Sequence, residues 1–316
     1  MTVKVKIEYN AINERNTFSN GDILTGRVIL EVSRKTEFKS LTIKTKGKAK
    51  VLWTEYCPIQ KRTRTLFDDE KYFSLEQFLL REETHKGNVP LGPGRHVYPF
   101  TFQIPFQDMP PTYKGEHGKV RYTLTAKLSR SLHLPSKDKT EFHFISQADM
   151  NNPSLMAPQS QVTEKGLTFF ASGNMSMDIS TERTGYMQGE GLVVKGEIVN
   201  SSTRKIVPKY ILYQKQSFFA FGKRRVHTYD VLKEKGEPLP SSTRQTVSKV
   251  LTIPREITPT ILNSRILKVE YRLKVILDVS FSKDPEMKLP IIILPSIGGS
   301  TVKGLEVGQE KSGWNI

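Results

Sequence analysis

A duplication constrains the fold of this chain more than any other feature of its sequence. Val120-Arg121-Tyr122-Thr123-Leu124-Thr125-Ala126 recurs as Val269-Glu270-Tyr271-Arg272-Leu273-Lys274-Val275. Both copies place apolar residues at alternate positions, the period of a half-buried strand. Three landmarks share one spacing of 149 residues: Tyr122 with Tyr271, Ile104-Pro105 with Ile253-Pro254, and Pro110 with Pro259. The front of each half repeats as well. Phe18-Ser19-Asn20-Gly21-Asp22 precedes Gly26-Arg27-Val28, and Tyr186-Met187-Gln188-Gly189-Glu190 precedes Gly196-Glu197-Ile198. Gly26 and Gly196 lie 170 residues apart, so the first half is 21 residues longer between its front and its back. The polar, weakly periodic stretch from Cys57 to His96 is the expected place for this surplus, as a surface excursion.

Strand signals dominate both halves. Leu41 to Val51 alternates over eleven residues, with Leu41, Ile43, Ala49 and Val51 apolar and Lys44, Lys46, Lys48 and Lys50 between them. That period requires a sheet with one wet face. Ser74 to Arg81, opened by a capping-box pair Ser74 and Gln77, is the one helical candidate, or else another strand. Glycine and proline punctuate the strands at Asn20-Gly21, Gly92-Pro93-Gly94, Pro110-Pro111 and Asp284-Pro285. Recurrent turn signals between short strands predict an all-β chain of two tandem immunoglobulin-like β-sandwich domains. The expected boundaries are 1–147 and 163–295, with a polar linker at 148–162 and a glycine-bearing flexible tail at 296–316.

At 316 residues each half is long enough to bury a core of its own. No run approaches the roughly 18 apolar residues of a membrane span, and the first residues lack a secretory apolar stretch. A single cysteine, Cys57, allows no intrachain disulfide. These features suit a cytosolic protein. The 48 basic residues against 32 acidic ones give a formal charge of +16, which favours anionic partners: nucleic acid, phosphorylated peptides or the anionic inner leaflet. The basic residues are dispersed and no aromatic stacking motif accompanies them, so nucleic acid is not expected.

Particular segments carry a family resemblance. Gly94-Arg95-His96-Val97-Tyr98-Pro99-Phe100-Thr101-Phe102-Gln103-Ile104-Pro105 resembles the middle of the arrestin N-terminal domain, Gly118 to Tyr122 the strand after it, and Leu289 to Ile293 the closing strand of the arrestin C-terminal domain. The chain is similar to the arrestin domain-containing proteins (the α-arrestins), nearest to their arrestin domain-containing protein 3-like members. That resemblance implies adaptor work: binding cytoplasmic segments of membrane receptors and transporters, and coupling them to HECT-type ubiquitin ligases and endosomal sorting. It also implies a protein peripheral to membranes, recruited from the cytoplasm to the plasma membrane and endosomes. A structural subunit of a sorting coat with the same fold is the alternative, as is a basic surface for acidic lipid or nucleic acid.

Two candidate sites follow. Pro110-Pro111-Thr112-Tyr113 matches the PPxY motif through which that family recruits WW domains, which read two prolines in an extended helix plus an aromatic ring. The competing reading is a turn between strands, because Thr258-Pro259-Thr260 holds the same place in the second half without a tyrosine. The lysine stripe Lys44, Lys46, Lys48 and Lys50, with Lys4 and Lys6 on another strand, is a candidate phosphate or anion site. The arrestin resemblance points the same way; the alternative is an outer face kept soluble by lysine. Gly222-Lys223-Arg224-Arg225 reads as a solvated loop rather than a lipid site. Nothing predicts catalysis or a cofactor. The six histidines show no metal-ligand spacing with Cys57 or with each other, Asp68-Asp69-Glu70 reads as a charged loop tip, and no phosphate-cradling loop or nucleophile elbow is present.

Overall fold

A computed structural model describes residues 3–81, 89–131, 133–147, 152–167, 173–279 and 284–296. The first half contains β1 (Val3–Tyr9), β2 (Thr17–Phe18), β3 (Ile23–Val32), β4 (Thr36–Phe38), β5 (Ser40–Cys57), β6 (Arg62–Arg81), β7 (Val89–Leu91), β8 (Gly94–Gln103), β9 (Tyr113–Lys114), β10 (Gly118–Arg130) and β11 (His133–Phe144). A one-turn helix, α1 (Pro153–Met156), leads into the second half. There follow β12 (Gln159–Leu167), β13 (Gly173–Thr181), β14 (Gly185–Met187), β15 (Gly191–Ser202), β16 (Ile206–Ala220), β17 (Lys223–Lys235), β18 (Thr243–Thr252), β19 (Leu267–Val279) and β20 (Glu286–Leu294).

Each half is a sandwich, and the two share one core strand order, to which β12 adds an edge strand in the second half. Sheet β1-β3-β8 packs on β2-β11-β10-β5-β6 in the first; sheet β12-β13-β15-β18 packs on β14-β20-β19-β16-β17 in the second. Both carry the same parallel pairing of a short strand with the closing strand, β2 with β11 and β14 with β20. The all-β tandem sandwich expected from the sequence is therefore the fold.

The repeated landmarks perform the same local jobs twice. At the front turn, Gly21 and Gly189 adopt φ of 80° and 86°, a region where a Cβ would clash with the backbone and which glycine enters freely. The acid that follows closes the turn: Asp22 accepts from Ser19 N and Glu190 from Met187 N, both at 2.7 Å. Ile104 N then donates to Asp22 O and Ile253 N to Glu190 O, each at 2.9 Å. Gly26 and Gly196 lie where a neighbouring backbone approaches, since a Cβ would stand 2.4 Å from Glu8 O and 2.0 Å from Asp178 O. Tyr122 and Tyr271 are buried and donate their hydroxyls to the carbonyls of Pro110 and Thr258. These bonds anchor each loop to its central strand.

The hydrogen bonding moves one landmark by a residue. Thr112 N donates to Phe144 O, and Thr260 N to Ile293 O, both at 2.8 Å. Thr112 thus matches Thr260, Pro111 matches Pro259, and Tyr113 matches the fully buried Ile261.

Two local expectations are corrected, and one open alternative, at Ser74 to Arg81, is decided for strand. The surplus between Cys57 and His96 is mainly strand: β6 runs antiparallel to β5 from Ser40↔Arg81 to Cys57↔Arg62, and β4 pairs with β7. The helical candidate at Ser74 to Arg81 is the end of β6. The linker expected at 148–162 holds α1 and the start of β12, whose Gln159 already pairs with Thr181; residues 148–151 lie outside the described residues. Of the expected tail, Ser296 donates its N–H to Gln188 Oε1 at 3.0 Å, and 297–316 lie outside the described residues.

Candidate functional site

The alternation of β5 turns Leu41, Ile43, Ala49, Val51 and Trp53 into the core and leaves Lys44, Lys46, Lys48 and Lys50 on the outer face of the sheet. Register extends this face sideways. Arg121 lies opposite Lys48 and Lys119 opposite Lys50 on β10. Lys139 of β11 lies opposite Thr125, itself opposite Lys44. On the other side, β6 supplies carboxylates: Glu76 stands 3.6 Å from Lys44 and Asp69 2.6 Å from Lys48. Lys46 and Lys50 form no ion pair among the described residues. Partial desolvation lowers the proton affinity of Lys46, and the neighbouring charges of Lys48 and Lys44 lower it further. Lys119 is pushed down the same way, by desolvation and then by Arg121 and Lys50. Glu141 answers Arg121 at 3.3 Å, so cations outnumber carboxylates on the face and crowd Lys46 and Lys119, a repulsion that an anion would relieve.

Lys4 and Lys6 do not belong to this face. They point outward from β1, in the opposite sheet of the sandwich, while Val3, Val5 and Ile7 point in. Carboxylates answer them there: Lys4 lies 3.8 Å from Glu31, and Lys6 and Arg27 share Glu8 at 2.8 and 2.7 Å. Those two bonds, Lys6's first, hold the Glu8 carboxyl at about 2. The six-lysine set expected from sequence is two separate groups.

The structure places the PPxY segment in the core. Pro110, Pro111 and Tyr113 are all buried. The Pro110 carbonyl is taken by Tyr122 at 2.6 Å, and Tyr113 pairs with Val120 in the sheet. Only 4% of Tyr113 is exposed, and burial pushes its phenol well above the usual range. A WW domain needs those rings free in an extended segment; here they are core. The isoleucine at the matching place in the second half does the same packing.

The two remaining charge clusters fasten the sandwiches together. Asp68, Asp69 and Glu70 lie within β6, not at a loop tip, and alternation sends them to opposite faces. Asp69 joins the lysine face. Glu70 Oε2 accepts from Ser264 Oγ at 2.8 Å and from Arg265 N at 2.9 Å, while Arg265 Nη1 donates to Asp68 at 3.2 Å. The basic run after Gly222 is likewise a docking element rather than a free loop. Lys223 Nζ stands 2.5 Å from Glu55, and Arg225 Nη1 donates to Thr54 O at 3.2 Å. Between these contacts Gly118 lets the apolar surfaces meet, since a Cβ would stand 2.6 Å from Leu267 Cδ1 and 2.8 Å from Phe218 Cε1. The same interface brings His117 beside His227, ring centroids 4.9 Å apart, with Glu116 adjoining. Sequence reading missed this group, because its histidines lie in different sandwiches and no spacing signals their meeting.

Duplicated sandwiches, docked against each other and closed by tyrosine-anchored loops, define an arrestin-type body. Comparison with known proteins agrees along most of the chain. Residues 5–151 match the model of the arrestin (or S-antigen) N-terminal domain, and residues 171–297 that of the C-terminal domain. Arrestin domain-containing protein 4 of Homo sapiens is 31% identical over 286 residues, covering 88% of this chain and 68% of that protein. Thioredoxin-interacting protein of Homo sapiens is 30% identical over 282 residues, covering 87% of this chain and 71% of that protein. The chain belongs to the arrestin domain-containing protein family, the α-arrestins. These relatives do not single out the arrestin domain-containing protein 3-like branch. Among the described residues no helix is long and apolar enough to cross a membrane.

Proposed function

We propose that the chain is a non-enzymatic cytoplasmic adaptor that binds phosphorylated or otherwise anionic cytoplasmic segments of membrane receptors and transporters. On this reading it is recruited to the plasma membrane and endosomes, where it couples cargo to HECT-type ubiquitin ligases and endosomal sorting. The observation that carries the reading is the outer face of β5, where Lys46 and Lys50 stand without ion pairs among like charges from β10. An exposed ion pair contributes only about 0.2–1 kcal/mol. Useful affinity therefore comes from several lysines at once, with Lys46 and Lys50 first and Lys44 and Lys48 exchanging Glu76 and Asp69 for the ligand. Lys4 and Lys6, already balanced by carboxylates, form a secondary surface. Ligase coupling does not run through 110–113, whose rings are core.

Proximity labelling in cells tests the proposal, comparing the native chain with a Lys46→Glu/Lys50→Glu variant. The expected result is enrichment of membrane receptors, ligases and endosomal sorting components, with receptor labelling lost in the variant. Receptor labelling that is unchanged in the variant, or a fixed stoichiometric set of coat partners in its place, would contradict it.

A further inference from the structure

The cluster at the interface of the sandwiches has the donor types of a metal site. Glu116 and His117 immediately precede β10, and His227 lies on β17 of the other sandwich. One potential ligand atom from each residue lies within 4.8 Å of those of the other two. Ligands around a tetrahedral zinc ion, with bonds of about 2.0–2.2 Å, lie roughly 3.3 Å apart, so side-chain adjustment alone closes the set. His117 is held by packing, edge-on to Phe218 at 5.7 Å. Its Nε2 is buried without a hydrogen-bond partner, the closest carboxylate oxygen being Glu116 Oε1 at 3.4 Å. A buried nitrogen left unsatisfied is costly, and a cation would satisfy it.

Access also fits. Glu116 is exposed, which opens a path from solvent. Arg225 Nε donates to His227 Nε2 at 3.3 Å, so an arriving ion displaces that bond or uses the other ring nitrogen. Two imidazoles and one carboxylate suit zinc and its neighbours, whereas calcium and magnesium take oxygen ligands.

We propose that Glu116, His117 and His227 form an interdomain site for a divalent transition-metal ion of the zinc type. Because the two histidines belong to different sandwiches, the ion binds only their docked arrangement and stabilises it by mass action.

The test uses the full chain, stripped with chelator and titrated with cobalt(II) as a spectroscopic probe and then with zinc. One equivalent of cobalt should give the visible absorption of a low-coordinate nitrogen–oxygen site, bleached by zinc, and zinc should raise Tm. His117→Gln and His227→Gln should each weaken binding by more than the roughly 10–100-fold typical of losing an outer-shell partner, and both should abolish the Tm rise. Glu116→Gln, at an exposed position where folding is not at stake, should also weaken binding, while His96→Gln should leave it unchanged. No saturable binding by the native chain, or undiminished binding by the Glu116 and histidine variants, would overturn the proposal.

Discussion

Tyr122 joins the core of the first sandwich to the loop that precedes β9. Its ring packs against Phe73, Phe142 and Phe144, and its hydroxyl satisfies the buried carbonyl of Pro110. Tyr122→Phe keeps the packing and orphans that carbonyl, at a cost of about 1–3 kcal/mol. Chemical denaturation should show the loss as a lowered midpoint with unchanged slope. His117 sets a second expectation, in pH. Burial and then Arg225 push its ring below 6.5, so in the metal-free chain the unfolded state takes up this proton first. The stability contributed by the neutral ring is complete above 6.5 and is lost as pH falls from there toward the folded value. Thermal melts between pH 7.5 and 5 should show the decline, and His117→Gln should flatten that part of the curve.

At the scale of elements, β6 decides how the halves sit together. Its inner edge beyond the first sandwich faces another domain and not a hydrocarbon core, so polar residues occupy inward positions. Glu70→Ala removes the acceptor of Ser264, which is only 3% exposed, and of the Arg265 amide. A buried donor left unpaired costs about 1–3 kcal/mol. Hydrogen exchange should quicken at Ser264 to Leu267 and in the first residues of β10, with the outer strands β1 and β13 unchanged. The same polarity explains why β6 is hard to read from sequence: Asp68 and Glu70 break the apolar alternation by which β10 and β19 announce themselves. β17, with Lys223 and Arg225 reaching the other domain, is obscured in the same way. Elements that bury one apolar face within their own sandwich were legible, and those that face the partner sandwich through charge were not.

At the scale of the whole molecule, duplication produces two sandwiches, the first of which carries the recognition surface proposed for the family's adaptor work. The lysine stripe was legible because a period of two sorts β5 by face. Its charge balance was not, since Glu76 and Asp69 reach it through the register of β6, which no local pattern fixes. The buried PPxY shows the converse, a motif complete in sequence and closed off by tertiary packing.

The measurement that bears most directly on this account is a titration of the native chain with a phosphorylated receptor cytoplasmic segment and its unphosphorylated twin, at two salt concentrations. The native chain should prefer the phosphorylated form and lose affinity with salt. Lys46→Glu/Lys50→Glu should weaken that binding roughly tenfold, about 1.4 kcal/mol, while Lys4→Glu/Lys6→Glu should change it far less. Equal affinity of the native chain and the Lys46→Glu/Lys50→Glu variant for the phosphorylated segment would contradict the assignment of the β5 face.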